Sequence, residues 1–175
     1  MKLANERFEL LPLKDTDLEL FMEVRTCPQM MEHVYDPFTY DEAKSSFEER
    51  TKPWSYESDK WLSFSIAEIL NGEKLGDISL RIIDHEAKIA EVGFMIKASA
   101  QGKGVGSNAL SLMKQYAFDT LMLDKLVAYC SVNNTGSMKL LEKQGFNRES
   151  FLKQNTLINN QYVDDYAYGL CRSDL

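Results

Sequence analysis

The sequence has little of what disulfide frames and metal sites are made from. Its 175 residues hold three cysteines, Cys27, Cys130 and Cys171, and two histidines, His33 and His85. The cysteines are odd in number and form no Cys-x-x-Cys pair. They read as reduced thiols of a cytoplasmic protein rather than a zinc site or disulfide scaffold. The histidines lie far apart, so no metal is expected. No apolar run approaches the roughly 18–20 residues that cross a bilayer. The opening MKLANERFELLPL has neither the apolar stretch nor the small-residue cleavage site of a secretory signal. Positive charge is also scarce: 20 Lys and Arg against 27 Asp and Glu leave a net charge of −7, which argues against nucleic acid as the main partner. There is no internal repeat, low-complexity tract or Gly/Ser linker. Residues 1–175 therefore read as one domain, long enough for a real core.

Within that acidic chain the charge is uneven. Residues 101–148 hold six Lys or Arg and three Asp or Glu, a balance of +3, which leaves about −10 elsewhere. The basic stretch opens on SAQGKGVGSNAL (99–110), where Gly102, Gly104 and Gly106 alternate around Lys103 and Val105. That fits an anionic ligand there and a cationic one elsewhere. Chance variation of surface charge is the competing reading.

The hydrophobic pattern places this loop among regular elements. FELLPL (8–13) reads as a first strand ended by Pro12. Residues 14–26 predict a helix that Asp15 or Thr16 can cap, with Leu18, Phe21, Met22 and Arg25 on one face. Residues 39–51 predict a second helix with acids in its first turn. The runs 60–70 and 74–84 are apolar-rich and separated by Asn71-Gly72, a hairpin signal. A further strand covers 88–97. After the glycine loop, Val105, Ala109, Leu112, Met113, Tyr116 and Ala117 recur at helical spacing. A short strand (125–132), a helix (134–146) stopped by Gly145, and two strands near 147–154 and 161–171 joined at Asn159-Asn160 complete the chain. The order implies an α/β (α+β) layer structure, a mixed central sheet of about six to seven strands flanked by about four helices.

The glycine loop admits several readings. A Walker A loop needs GxxxxGK[ST], but Gly106 is followed by Ser107, and Lys103 is misplaced. The dinucleotide fingerprint GxGxxG/A is formally matched by Gly104, Gly106 and Ala109. Lys97 to Ala100 nevertheless intervene between the strand and the loop, and the next strand ends in Ser131-Val132-Asn133 without an acid. A Gln-x-x-Gly-x-Gly loop (Gln101, Gly104, Gly106) is the third reading: glycines let the backbone approach a bulky anion, and successive N–H groups point at it from a helix N-terminus. A turn that merely starts a helix is the fourth.

Residues 91–146 resemble the core of the GNAT acetyltransferase superfamily. The Gln101-x-x-Gly104-x-Gly106 loop resembles that family's pyrophosphate loop for acetyl-CoA. VNNTGSMKLLEKQGF (132–146) resembles its later motif at Asn134, Ser137, Glu142, Lys143, Gly145 and Phe146. RFELLPLKDTDLELF and AEVGFMI are similar to the subgroup that contains ribosomal-protein N-terminal and spermidine acetyltransferases. The resemblance spans nearly the whole chain. It implies acetyl-CoA as co-substrate, no metal, and direct attack of an amine on the thioester. Backbone groups of Phe94, Met95 and Ile96 would then pair with the pantetheine arm. Gln101, Gly102, Lys103, Gly104, Val105, Gly106 and Ser107 would surround the pyrophosphate, with Lys143 a solvated or phosphate-near cation. Asn134 would hydrogen-bond the pantetheine, besides capping its helix. Ser137, one turn on and on the same face, would serve the leaving thiolate as acid, the more so because Leu141 stands where many members carry a general-acid tyrosine. Glu91 would act as base, often through water; an edge residue in an ordinary ion pair is the alternative.

The acceptor is less legible. Residues 1–60 carry fourteen acids and eight bases. EHVYDPF (32–38) and KPWSYESDKW (52–61) mix aromatics with acids, a composition suited to an alkylammonium or a peptide amino terminus and equally to ordinary loop packing. Tyr35, Trp54 and Tyr56 are the substrate-side candidates. A protein N-terminal α-amine is the first expectation and a polyamine or other small amine the second. A catalytically silent acyl-CoA-binding domain is the reading from another class. A homodimer is expected only by association with similar proteins.

Overall fold

Alternation with period two builds the centre of the sheet. In the computed structural model, which describes residues 3–175, strands β3 (Leu62–Glu68) and β4 (Lys74–Asp84) pair antiparallel. One face carries Phe64, Ile66, Ile78 and Leu80, all buried in the main core. The other carries Ser63, Ser65, Asp77 and Ser79, which are buried too. Such a doubly buried strand pair needs partners for its polar face, and helices supply them on that side.

The full sheet has eight strands in the order β1-β2-β3-β4-β5-β6-β8-β7. Its remaining members are β1 (Leu3–Ala4), β2 (Phe8–Pro12), β5 (Ile89–Ile96), β6 (Lys125–Ser131), β7 (Asn147–Ile158) and β8 (Gln161–Cys171). β5 and β6 are parallel and the other neighbours antiparallel. The extra strand beyond the expected six or seven is β1, whose two residues pair with Glu9 and Leu10; two residues carry no periodicity to read.

Five helices flank the sheet: α1 (Leu18–Arg25), α2 (Pro28–Met31), α3 (Tyr40–Thr51), α4 (Val105–Gln115) and α5 (Thr135–Lys143). The unexpected one, α2, is a single turn with proline at its first position. The helix expected from residue 14 begins as a 3-10 turn over Asp15–Asp17, and neither Asp15 nor Thr16 caps it; the Asp17 carboxylate accepts from the Lys14 N–H instead. Thr39 and Glu42 form a reciprocal capping box at the start of α3. Phe21 of α1 meets Phe47 of α3 edge-on at 5.3 Å. On the opposite side, Val105, Ala109, Leu110 and Met113 of α4 join the main core. Each large aliphatic side chain fully buried there contributes on the order of 1.5–3 kcal/mol.

The two turn predictions fared differently. Asn159 and Asn160 both have positive φ (51° and 58°) and link β7 to β8 as a two-residue hairpin, Ile158 facing Gln161. Asn71-Gly72 belongs to a wider connection in which Gly72 N–H donates to the Glu68 carbonyl and Asn71 Oδ1 accepts from Glu73 N–H. Only Gly72 of that pair has positive φ, so the tight two-residue turn is not formed.

Candidate active site

The parallel pair β5–β6 holds together for three residues only: Ile89 faces Lys125, Ala90 faces Leu126 and Glu91 faces Val127. Beyond Glu91 the strands part. β5 stays with β4 as far as Ile96, opposite Gly76, and β6 stays with β8 as far as Ser131, opposite Asp165. The backbone edge of residues 92–96 thus looks onto a gap instead of a neighbour. A cleft of about 870 Å³ opens there, lined by Glu91 to Ile96 on one flank and Ala128 to Ser131 on the other.

The glycine loop closes one end of the cleft. Gly102 and Gly104 have φ of +72° and +80°, where a side chain is strained. Gly104 is also the residue before α4, and no side chain caps that helix. The first N–H groups of α4 are therefore available at the cleft, backed by the positive end of the helix dipole. Gly106 is needed for a different reason. A Cβ there would lie 2.6 Å from Leu140 Cδ1 and 3.5 Å from Ile96 Cγ1, so its lack of a side chain lets α4 seat between the end of β5 and α5. The loop is braced from behind: Asn5 Nδ2 donates to Asn108 Oδ1, Asn108 Nδ2 donates to the Gly104 carbonyl, and Arg7 Nη1 donates to the Lys103 carbonyl. Gln101 folds back to donate to the Ile96 carbonyl at 3.1 Å, tying the loop to the free end of β5.

The N-terminus of α5 forms the third wall. Asn134 Oδ1 accepts from Ser137 N–H at 3.1 Å, and Asn134 and Ser137 both line the cleft. Leu141 is buried in the core, so no hydroxyl stands at that position. Lys139 and Lys143 line the same wall.

The face under α1 and α3 is polar. Arg25 forms a two-pronged pair with Asp77 (2.7 and 2.8 Å) and lies 3.5 Å from the Phe21 ring centroid. Burial opposes the Arg25 charge, but Asp77 and Tyr35 together outweigh it and raise the guanidinium pKa. Arg50 Nη1 donates to Ser63 Oγ and Ser79 Oγ, at 3.2 and 3.0 Å. Burial, with Arg25 nearby, holds the Arg50 pKa down to about 10. Glu91 Oε2 is held by Arg81 Nη2 at 2.6 Å, which engages one of its two oxygens. The guanidinium carbons of Arg50 and Arg81 lie 5.1 and 4.8 Å from the Trp61 ring centroid. Across the gap, Asp165 Oδ2 accepts from Asn155 Nδ2 and Thr156 Oγ1, at 2.8 and 2.5 Å. Burial and Asp165 push the Cys130 thiol up to about 11.

The structure brings Glu91, Phe94, Met95, Ile96, Gln101, Gly102, Gly104, Val105, Gly106, Ser107, Asn134, Ser137, Lys143 and Tyr35 to one cleft. Lys103 is not among the lining residues, because the loop turns its backbone toward Arg7. Trp54 and Tyr56 are not either. Trp54 Nε1 donates to the Lys60 carbonyl, and Tyr56 packs edge-on against His85 at 5.8 Å, so both secure the approach to β3. The aromatic that does reach the cleft from that segment is Trp61. Arg25, Arg50, Asp77, Asp165 and Lys139 escaped the sequence reading. For Arg25 a signal was present: an arginine in register with Leu18, Phe21 and Met22 on an otherwise apolar helix face calls for a buried partner.

A glycine loop leading into an uncapped helix start, beside two parting parallel strands, defines the class by its architecture: α/β proteins that present free backbone N–H groups at a cleft between strands. Over residues 7–147 the chain matches the acetyltransferase (GNAT) domain, and it belongs to that family. Among its relatives, a probable N-acetyltransferase of Bacillus subtilis, YjcK, is 31% identical over 67% of this chain and 66% of its own length. The ribosomal-protein-serine acetyltransferase of Escherichia coli is 33% identical over 55% of this chain and 54% of its own. The aligned segment thus spans about half to two thirds of these relatives. The fold is shared with the spermidine N-acetyltransferase of Vibrio cholerae solved with CoA and spermine: TM-score 0.85, 22% identity, 97% of this chain and 98% of that one. Among the described residues no helix is long and apolar enough to cross a membrane.

Proposed function

We propose that this protein is an acetyl-CoA-dependent N-acetyltransferase acting by direct transfer to a primary amine, with a protein N-terminal α-amine as the acceptor. The observation that carries the reading is the end of β5–β6 pairing after Glu91 and Val127. It leaves an unpaired backbone edge aimed along the cleft toward the uncapped start of α4. That arrangement fits a long ligand with phosphates at one end and hydrogen-bonding amides along its arm.

In this reading, acetyl-CoA supplies the activated acyl group. The N–H groups from Gly104 to Ser107 hold the pyrophosphate, with Lys139 and Lys143 adding charge. Residues 94–96 pair with the pantetheine and aim the thioester between Glu91 and Ser137. The free oxygen of Glu91, directly or through water, takes the proton that the amine must lose. The nitrogen then bonds to the carbonyl carbon as the C–S bond breaks, and Ser137 Oγ donates to the departing thiolate. Asn134 keeps Ser137 in place through its N–H.

The test is thiol release from acetyl-CoA against a panel of amines: short peptides with free amino termini, spermidine and other small amines. Release with the peptides is the expected result. Release with spermidine alone transfers the protein to the polyamine reading. Binding of CoA without release for any amine makes it an acyl-CoA-binding domain.

A further inference from the structure

Arg50 is a cation without a counter-ion. Its partners are two serine hydroxyls, and the Ser63 and Ser79 oxygens are themselves 2.8 Å apart. Among the described residues no carboxylate oxygen lies within the 4.0 Å ion-pair distance of Arg50. The nearby acids are committed elsewhere. Asp77 is held two-pronged by Arg25, and Glu91 is held by Arg81. Those two pairs neutralise themselves, so the positive charge of Arg50 is left over on this wall of the cleft.

The spare charge is placed for an acceptor and not for the CoA phosphates. The glycine loop and the start of α4 follow the end of β5 at Ile96, three residues beyond Gly93, and Lys139 and Lys143 stand on α5. Arg50 contacts Ser79 of β4, which faces Gly93 of β5, and β5 borders the gap. One strand spacing, about 5 Å, therefore separates the serine beneath Arg50 from the edge where the thioester would be aimed. Only Nη1 is engaged by the serines, so Nε and Nη2 remain as donors in the planar geometry that suits a carboxylate. Burial and Arg25 hold the Arg50 pKa down to about 10, which leaves it a cation at neutral pH and one that an anion would stabilise.

We propose that Arg50 receives a carboxylate on the acceptor, so that the preferred amine carries an anionic group close to the reacting nitrogen. This rests on the acetyltransferase reading and narrows it: a polyamine, cationic throughout, would meet an unscreened arginine. The carboxylate has two sources, the α-carboxylate of a free amino acid or an acidic side chain near a peptide amino terminus.

The experiment compares matched pairs in the thiol-release assay. Free amino acids are set against their amides, and peptides beginning Ala-Asp against peptides beginning Ala-Asn. The acidic partner should be preferred about tenfold or more in kcat/KM, the scale of one charge-assisted hydrogen bond. The pair that shows the preference identifies the source. Arg50→Gln should bring the ratio to about one while the neutral partner reacts within about threefold of wild type, and Arg50→Lys should retain part of the preference. A purely structural role for Arg50 would lower both partners alike. An unchanged KM for acetyl-CoA shows that a variant is folded. Equal rates within both pairs, or faster neutral partners or spermidine, overturn the proposal and leave the transferase reading standing. No release with any amine overturns both.

Discussion

Ser137 and Cys130 face the same cleft with opposite chemical prospects. The Ser137 backbone is fixed by Asn134, and its hydroxyl has no protein partner among the described residues. If its hydroxyl stabilises the leaving thiolate by a hydrogen bond, Ser137→Ala should lower kcat about a hundredfold with little change in KM for acetyl-CoA, as steady-state kinetics will report. Full activity in that variant removes the role. Cys130 is buried, and with its pKa pushed up to about 11 it stays a thiol. The thiolate is the nucleophile, so at pH 8 roughly one molecule in a thousand is reactive. Alkylation by iodoacetamide, followed by mass spectrometry, should label Cys27 and Cys171 well before Cys130, and the Cys130 rate should rise about tenfold per pH unit up to its pKa. The two glycine classes in the loop separate at this scale as well. Gly104 is required by its backbone angle and Gly106 by Leu140. The alternating glycines could be read from the sequence, but the reason for Gly106 could not, since Leu140 lies 34 residues further on.

Among the elements, α5 is the one whose start coincides with the site. Asn134 accepts from Ser137 N–H and so satisfies one of the orphan donors of the first turn. Asn134→Ala should cost about 1 kcal/mol, a fall of roughly 2–4 °C in Tm for a chain of this size, measured by thermal denaturation. Asn134→Ser should restore most of it, since serine caps as well. This cap was legible because Asn-x-x-Ser at a helix start is a local signal. The α1 and α3 faces were less so. The α1 face was read with Arg25 on it, and for α3 only the acidic first turn; that Arg25 and Arg50 project onto the sheet was not read, because an arginine in a helix is exposed far more often than buried. Likewise Ser63, Ser65 and Ser79 alternate with large apolar residues and look like a solvent face, although helices cover that face.

For the molecule as a whole, the Arg25–Asp77 pair ties α1 to the centre of the sheet with both side chains almost fully enclosed, 4% and 6% exposed. Removing one partner leaves an uncompensated charge, so Asp77→Ala should cost about 3–5 kcal/mol in urea denaturation, and replacing both by apolar residues of similar volume should recover most of the loss. Equal instability of single and double variants would show instead that the fold cannot repack there. The sequence by itself determined the α/β order of elements, the loop before α4, the cap of α5 and the family, because each is written in short-range spacing: period two, period 3.6, and glycines beside a helix start. What only the tertiary structure decided is how far β5 and β6 stay paired and which charges end up alone. Beyond Glu91, β5 keeps β4 and β6 keeps β8 as partner, and the isolation of Arg50 depends on Asp77 and Glu91 having been taken by Arg25 and Arg81. Both are outcomes of competition among residues distant in the chain, and no local pattern records who wins.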